Sequence, residues 1–489
     1  MRTTSRVLCV PAHRPALLIS ALVIHSMLAA VGAEPLHAQR YDELATGVQS
    51  QMVEVADDAF AITHVTLIDG TGSPAQHDMT VVVRDGRIAE VMPAAQFDGA
   101  GLRTVDGAGR TLMPGMVGLH NHLYYTAAGG RGMQLNFSAP LLYLGSGVTT
   151  VRTTGSRNAY SEINLKAEID AGREAGPRIH ITAPYITGGE GSTTMTLLDS
   201  PEQARRFVSY WAAEGATWLK AYTNVGYDEM QAAVDEAHRL GLKVTGHICS
   251  ISFREAVDMG FDNIEHGLFT NSDYHPDKQR SECPSDYRTY AMSIEPAGPE
   301  AQQTFRAMID AGVPMTSTLA VYELFVQGRP TRDPRALDAM APEVRDAYLA
   351  EKDRIDVEGW PPEWMQTAMA YEKAFVEAGG LLAAGVDPTG NGGALPGYGD
   401  QRNVELLREA GFTPEEVVQI ISLNGARILG IDQELGSIEP GKIADLVLMD
   451  GDFVADPSAI RNVTLVFKDG VGYRSQTMFD MVRGRVGIG

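Results

Sequence analysis

The chain of 489 residues reads as an α/β protein: a (β/α)8 TIM barrel with a small β-domain built from both chain ends. Three observations predict it. Apolar runs of strand length alternate with helical patterns between residues 114 and 430. Short β-branched runs broken by Asp-Gly and other Gly-rich turns crowd both ends. His, Lys and Asp residues recur at the ends of the central runs, where a barrel exposes its chemistry.

Composition bounds the function classes. Hydrophobic residues make up 44% and charged residues 21%, ordinary for a globular protein. The 62 acidic residues outweigh 40 basic ones, giving a net charge of −22. A nucleic-acid partner needs a basic surface, so that class is excluded. Residues 1–38 form a secretory signal peptide by pattern: Arg2, Arg6 and Arg14 precede an apolar core at 16–24 and 27–31. Leu36-His37-Ala38 is a plausible cleavage site, Val31-Gly32-Ala33 a second. An uncleaved anchor is the alternative, but the run is short and broken by His25 and Ser26. No later stretch is long and apolar enough to span a bilayer, so a periplasmic or secreted protein with no membrane span after signal removal is expected. Cys9 falls in the signal. Cys249 and Cys283 permit one disulfide, although a buried apolar thiol is the more ordinary reading of Cys249.

The expected divisions follow in order. Residues 39–113 supply the N-terminal part of the β-domain, with strand-and-turn runs at 60–70, 79–92 and 103–107. Residues 114–430 form the barrel. Its strands are expected at 116–122, 148–154, 178–185, 217–222, 243–249, 263–266, 313–319 and 381–387. Helices are expected at 161–175, 201–214, 227–240, 253–259, 299–311 and 361–378. Residues 431–489 return to the β-domain, with strand runs at 438–451 and 463–470.

The strand ends carry the chemistry. His120 and His122 are two apart, so on a strand both face one side and Asn121 the other. Strand four carries Lys220 inside an apolar run. Strands five and six end in His247 and His266, and strand eight ends in Asp387. Imidazole and carboxylate groups are ligands of first-row divalent metals. A lone His-x-His pair is commonplace, but four further strand ends with partners make a metal site the expected function of these residues.

These motifs resemble the amidohydrolase superfamily, closest to its imidazolonepropionase-like, metal-dependent prolidase branch. The resemblance lies in residues 112–122 around His120 and His122, and in Gly145-Ser146-Gly147-Val148-Thr149-Thr150-Val151-Arg152. Ile264-Glu265-His266-Gly267, the run 422–430 and the run 441–447 carry it further. It implies a distorted barrel with a composite β-sandwich from both termini. It also implies two divalent ions, usually Zn2+, bridged by Lys220 after carboxylation with CO2. By carry-over His120, His122 and Asp387 hold one ion, and His247 and His266 the other. Asp387 then takes a proton from the activated water and passes it to the leaving nitrogen. Two departures stand out. Many relatives have Asp two before the first His, where this chain has Gly118. Many have Asp after the strand-two Arg, where this chain has Thr153.

The implied reaction is cleavage of a C–N amide bond in a small peptide-like substrate, a dipeptide such as X-Pro or an N-acyl amino acid. Opening of a cyclic amide, hydrolysis of a lactone or ester, and a noncatalytic periplasmic binding protein are the alternatives. Tyr222, two after Lys220, is a candidate wall of the substrate pocket. Arg152 is a candidate for pairing with a substrate carboxylate, with a structural ion pair the competing reading. Tyr322 is a further strand-end candidate, as are Tyr124, Tyr125 and Tyr185. Long segments at 267–312 and 320–380, with Gly-rich loops at 188–191 and 390–399, would cover the mouth. A homo-oligomer is compatible with the sequence.

Overall fold

The computed structural model describes residues 49–189 and 194–488; the expected signal peptide lies outside them. Strands from both chain ends share one nine-stranded mixed sheet. Its junction is Arg110–Pro114 against Leu446–Asp450, antiparallel, with Met113 opposite Val447. Leu112, Leu446, Leu448 and Phe467 give one face of this sheet its own apolar core, and the alternating Met113, Val447, Met449 and Val466 are buried in the larger core on the other face. No helix among the described residues is long and apolar enough to cross a membrane.

The central strands form three parallel ladders. The first joins Met116–Asn121, Val148–Thr153 and Arg178–His180. The second includes Trp218–Ala221 beside Lys243–Gly246, and the third joins Ile264–Glu265, Met315–Ser317 and Leu382–Ala384. These strands are almost sealed on both faces, with polar Thr150, Arg152, Lys220, Thr245 and Glu265 buried among their apolar residues. Backbone bonds also pass between ladders. The Ala183 amide donates to the Trp218 carbonyl at 2.9 Å, Asn263 to Val244 at 3.2 Å and Asp387 to His120 at 2.7 Å. The fold is TIM-barrel-like, although the named strands do not make one continuous closed sheet.

Each expected central strand has an observed counterpart, shortened for local reasons. Strand three runs Arg178–His180, continues only as isolated parallel bridges at Thr182 and Pro184, and resumes at Ile186–Thr187. Strand six keeps only Ile264–Glu265, because His266 turns left-handed at φ 73°. The six expected helices appear as Ala159–Asp170, Pro201–Ala213, Tyr227–Arg239, Phe253–Met259, Pro299–Asp310 and Pro362–Glu377. Phe253–Met259 starts on a reciprocal cap between Ser252 and Glu255 and ends at left-handed Gly260.

The segment 320–380, expected as loop before its last helix, also contains Pro334–Ala339 and Pro342–Glu358. The latter buries Val344, Tyr348, Lys352 and Ile355 on one face, and the lysine hides the apolar period. Lys352 reaches Asp356 at 2.5 Å. The reading of Cys249 as a free buried thiol is overturned: Cys249 and Cys283 form a disulfide. It ties the chain just beyond Lys243–Gly246 to the long segment after strand six.

Candidate metal centre

Strand one delivers both imidazoles to the cleft. His120 Nδ1 donates to Glu265 Oε2 at 2.8 Å, and His122 Nδ1 to the Gly155 carbonyl at 3.2 Å. Each bond leaves the Nε2 lone pair facing inward. There Asp387 meets them, with Oδ2 3.6 Å from His120 Nε2 and Oδ1 3.4 Å from His122 Nε2. These three buried residues offer ligand atoms within 4.8 Å of one another.

Asn121 points the other way, as alternation requires. Its Nδ2 donates to Asp400 Oδ1 at 3.0 Å, anchoring the strand end. Gly118 has a steric reason. A Cβ there would lie 2.5 to 2.6 Å from Asn121 side-chain atoms, so the Asp of many relatives does not fit here. Gly385 is tighter still: a Cβ would sit 2.3 Å from the His120 amide nitrogen.

A row of rings continues across the cleft. His120 lies 4.3 Å from His266, and His266 lies 4.4 Å from His247, between centroids. His266 Nδ1 pairs with Thr318 Oγ1 at 2.7 Å, while its buried Nε2 has no partner. Lys220 is 1% exposed, and its Nζ also has no partner. His266 and Asp387 adopt left-handed backbone, at φ 73° and 49°. Such strain in non-glycine residues concentrates at functional sites.

The electrostatics prepare a cation site. Burial holds His122 down at about 4, and lowers His120 and His247 with help from the Lys220 charge. Burial also lowers Lys220 to about 8, although Glu265 and Asp387 oppose it. Burial pushes Asp387 up, but His120 and His122 outweigh it and hold the carboxyl below its usual range. Neutral imidazoles, the orphaned Nε2 of His266 among them, and an ionised carboxylate are the donor set a first-row divalent cation requires.

A family model described as the Amidohydrolase family matches residues 111–280 and 376–472. The chain belongs to the amidohydrolase family. This family member is 24% identical over 400 residues to an imidazolonepropionase of Rhizorhabdus wittichii, covering 78% of this chain and 90% of the relative. It spans only 26%, 14% and 13% of the first curated relatives it matches. One is a 5-methylthioadenosine/S-adenosylhomocysteine deaminase of Moorella thermoacetica, 34% identical over 113 residues, or 21% of this chain. Among solved structures, a Bifidobacterium longum protein whose prolidase assignment is itself provisional is 27% identical. The match covers 88% of this chain and 99% of that one, with a TM-score of 0.61.

The other sequence candidates divide. Tyr222 packs 4.8 Å from His247, and Tyr322 stands edge-on to His266 at 5.4 Å. Tyr185 reaches His122 Nε2 at 3.2 Å and bonds to Tyr124 through the two hydroxyls. Tyr125 donates instead to the Gly392 carbonyl. Arg152 is fully buried, with Nη2 on Glu265 at 2.5 Å, Nε on the Leu119 carbonyl and its guanidinium over Trp218. It takes the structural ion pair of the two readings.

Glu265 is the residue that motif reading missed. It receives His120, Arg152, Asn263 and Thr245. Burial raises its carboxyl, yet the charges of Lys220 and Arg152 and the His120 imidazole hold it well below the usual range. Its neighbour His266 drew attention in sequence, while the turn that lets both face the cleft left no residue pattern.

Proposed function

We propose that the protein is a metal-dependent hydrolase of the C–N amide bond in a small peptide-like substrate, a dipeptide such as X-Pro or an N-acyl amino acid. The observation that carries this is the convergence of His120, His122 and Asp387 on one point, beside the partnerless nitrogens of His266 and Lys220. His120, His122 and Asp387 would hold one divalent ion, and His247 and His266 a second, with carboxylated Lys220 between them. Zn2+ is the proposed ion, and CO2 the source of the carboxylate. A cation bound there polarises a carbonyl oxygen and lowers the pKa of water.

The chain's own groups do the rest. Asp387 accepts a proton from the attacking water and delivers it to the leaving nitrogen, so amide and water become carboxylic acid and amine. Glu265 fixes His120, and Gly155 fixes His122, in the tautomer that presents Nε2. Tyr222 and Tyr322 wall the cleft and exclude water from its floor.

The eight-stranded barrel with a composite β-sandwich, divided at residues 113 and 430, belongs to the same reading. It is supported by the bonds between ladders and by the sheet shared between chain ends. The Cys249–Cys283 disulfide supports a periplasmic or secreted setting, since such bonds persist in oxidising compartments. Opening of a cyclic amide is the second reading, favoured by the length of the imidazolonepropionase match.

The test is a panel of X-Pro and other dipeptides, N-acyl amino acids and cyclic amides, with metal content measured on the same protein. Turnover of linear amides with two metal equivalents is expected. Protein that takes up no divalent metal even after reconstitution with bicarbonate would sink the proposal.

A further inference from the structure

This inference rests on the hydrolase reading and concerns which substrates the cleft admits. With Arg152 spent in the core, two other arginines flank the imidazole row. Arg157 follows strand two, and its guanidinium lies 4.6 Å from the Tyr124 ring centroid. Tyr124 in turn stacks on His122 at 4.5 Å. The buried Nε of Arg157 has no hydrogen-bond partner. Gly132 makes room for it, since a Cβ there would sit 2.2 Å from Nη1.

Arg288 approaches from the opposite side, on the short helix Tyr287–Ala291. Its Nε donates to the Phe269 carbonyl at 3.1 Å and Nη2 to the Tyr287 hydroxyl at 2.8 Å. Its guanidinium lies 4.9 Å from the Trp360 ring centroid. Phe269 and Trp360 both stack with Tyr322, which stands edge-on to His266. Burial raises the Tyr222 hydroxyl, and the charges of both arginines act to lower it.

Neither arginine has a carboxylate in ion-pair range among the described residues. Arg178, Arg329 and Arg402, by contrast, all find acidic partners. Both side chains are half-buried, and a guanidinium drawn partly out of water without a counter-ion loses hydration. An arriving carboxylate compensates through charge-assisted, forked hydrogen bonds.

We propose that Arg157 and Arg288 are specificity-determining residues of the cleft, selecting substrates that carry a free carboxylate beside the scissile C–N bond. The probes are N-acetyl-L-proline and N-acetyl-L-prolinamide, which differ only in that carboxylate. Calorimetry on the full, metal-reconstituted chain should show the carboxylate bound at least tenfold tighter. Arg157→Met and Arg288→Met should each remove most of the preference and the double variant all of it, with prolinamide affinity unchanged within twofold.

On hydrolysed substrates the loss should appear in KM rather than kcat. If a methionine variant does not fold, Arg157→Lys and Arg288→Lys carry the test, with a severalfold loss expected because an ammonium lacks the fork. Equal binding of the two probes, binding of neither, or a preference that survives substitution overturns the assignment. Discrimination without hydrolysis of any amide would instead remove the hydrolase reading and leave the receptor standing.

Discussion

Nδ1 of His120 lies 2.8 Å from Oε2 of Glu265, and both side chains are sealed from water. The carboxylate also carries Arg152 at 2.5 Å, so one anion serves a cleft imidazole and a core guanidinium. Glu265→Gln keeps the shape and removes the charge. Metal affinity should fall about 10- to 100-fold, as for other partners of ligating histidines. Stability should fall by about 3–5 kcal/mol, because Arg152 is left buried without its counter-ion. Chelator competition and denaturant unfolding read the two effects separately.

Lys220 makes the opposite kind of prediction. Its ammonium is buried and partnerless, which costs the metal-free protein free energy. Lys220→Met should therefore leave the metal-free protein at least as stable as wild type while abolishing turnover and binding of the second ion. A Tm measured in chelator, with metal analysis of the reconstituted variant, checks both halves. A metal-free variant several degrees less stable would show that the lysine supports the fold.

Asp387→Asn tests proton transfer. The amide retains the site's shape and one ligating oxygen but cannot accept a proton. Turnover should drop about 10^2- to 10^4-fold, the usual weight of a general base, with metal content only partly reduced. Metal-loaded protein with full activity would dismiss the role.

The disulfide closes a span of 34 residues between Cys249 and Cys283. Chain-entropy reasoning gives about 3–4 kcal/mol for such a loop. Reduction, or Cys283→Ser with Cys249→Ser, should lower unfolding stability by that order. If Arg288 acts as proposed, it should also weaken carboxylate binding, because the same span carries the arginine. Unfolding curves with and without reductant provide the check.

Glu162 and Glu372 govern a pH effect of their own. Burial pushes both carboxyls from an ordinary 4.5 up to about 8. The folded state therefore holds protons the unfolded chain has released. Their contribution to stability is complete below about pH 4.5 and is lost as the pH rises through about 8. Glu162→Gln should flatten the decline between these values. Curves for variant and wild type that run parallel from pH 5 to 9 would contradict the assignment.

What was legible in the sequence follows from period and punctuation. The strand one pair was visible because His120 and His122 obey a two-residue repeat, and Phe253–Met259 because Ser252 and Gly260 mark its ends. Helix Pro342–Glu358 was hidden because buried Lys352 interrupts its apolar face. The roles of Glu265, which stood unassigned within a motif, and of Arg157 and Arg288 were hidden for another reason. These roles depend on which residues a turn or a missing Cβ brings near, as Gly132 does for Arg157, and no local spacing encodes that.

The clearance at Gly385 has a wider consequence. Its Cα faces the His120 backbone with no space for a methyl group, so the last parallel strand presses directly on the first. The donors from these two strands come from distant parts of the chain and meet only when that contact is made. A cation shared by His120, His122 and Asp387 would act as a clasp, and its occupancy would report on folding itself. Free metal concentration would then set thermal stability by mass action, and a chain that folds without it would hold this contact more loosely.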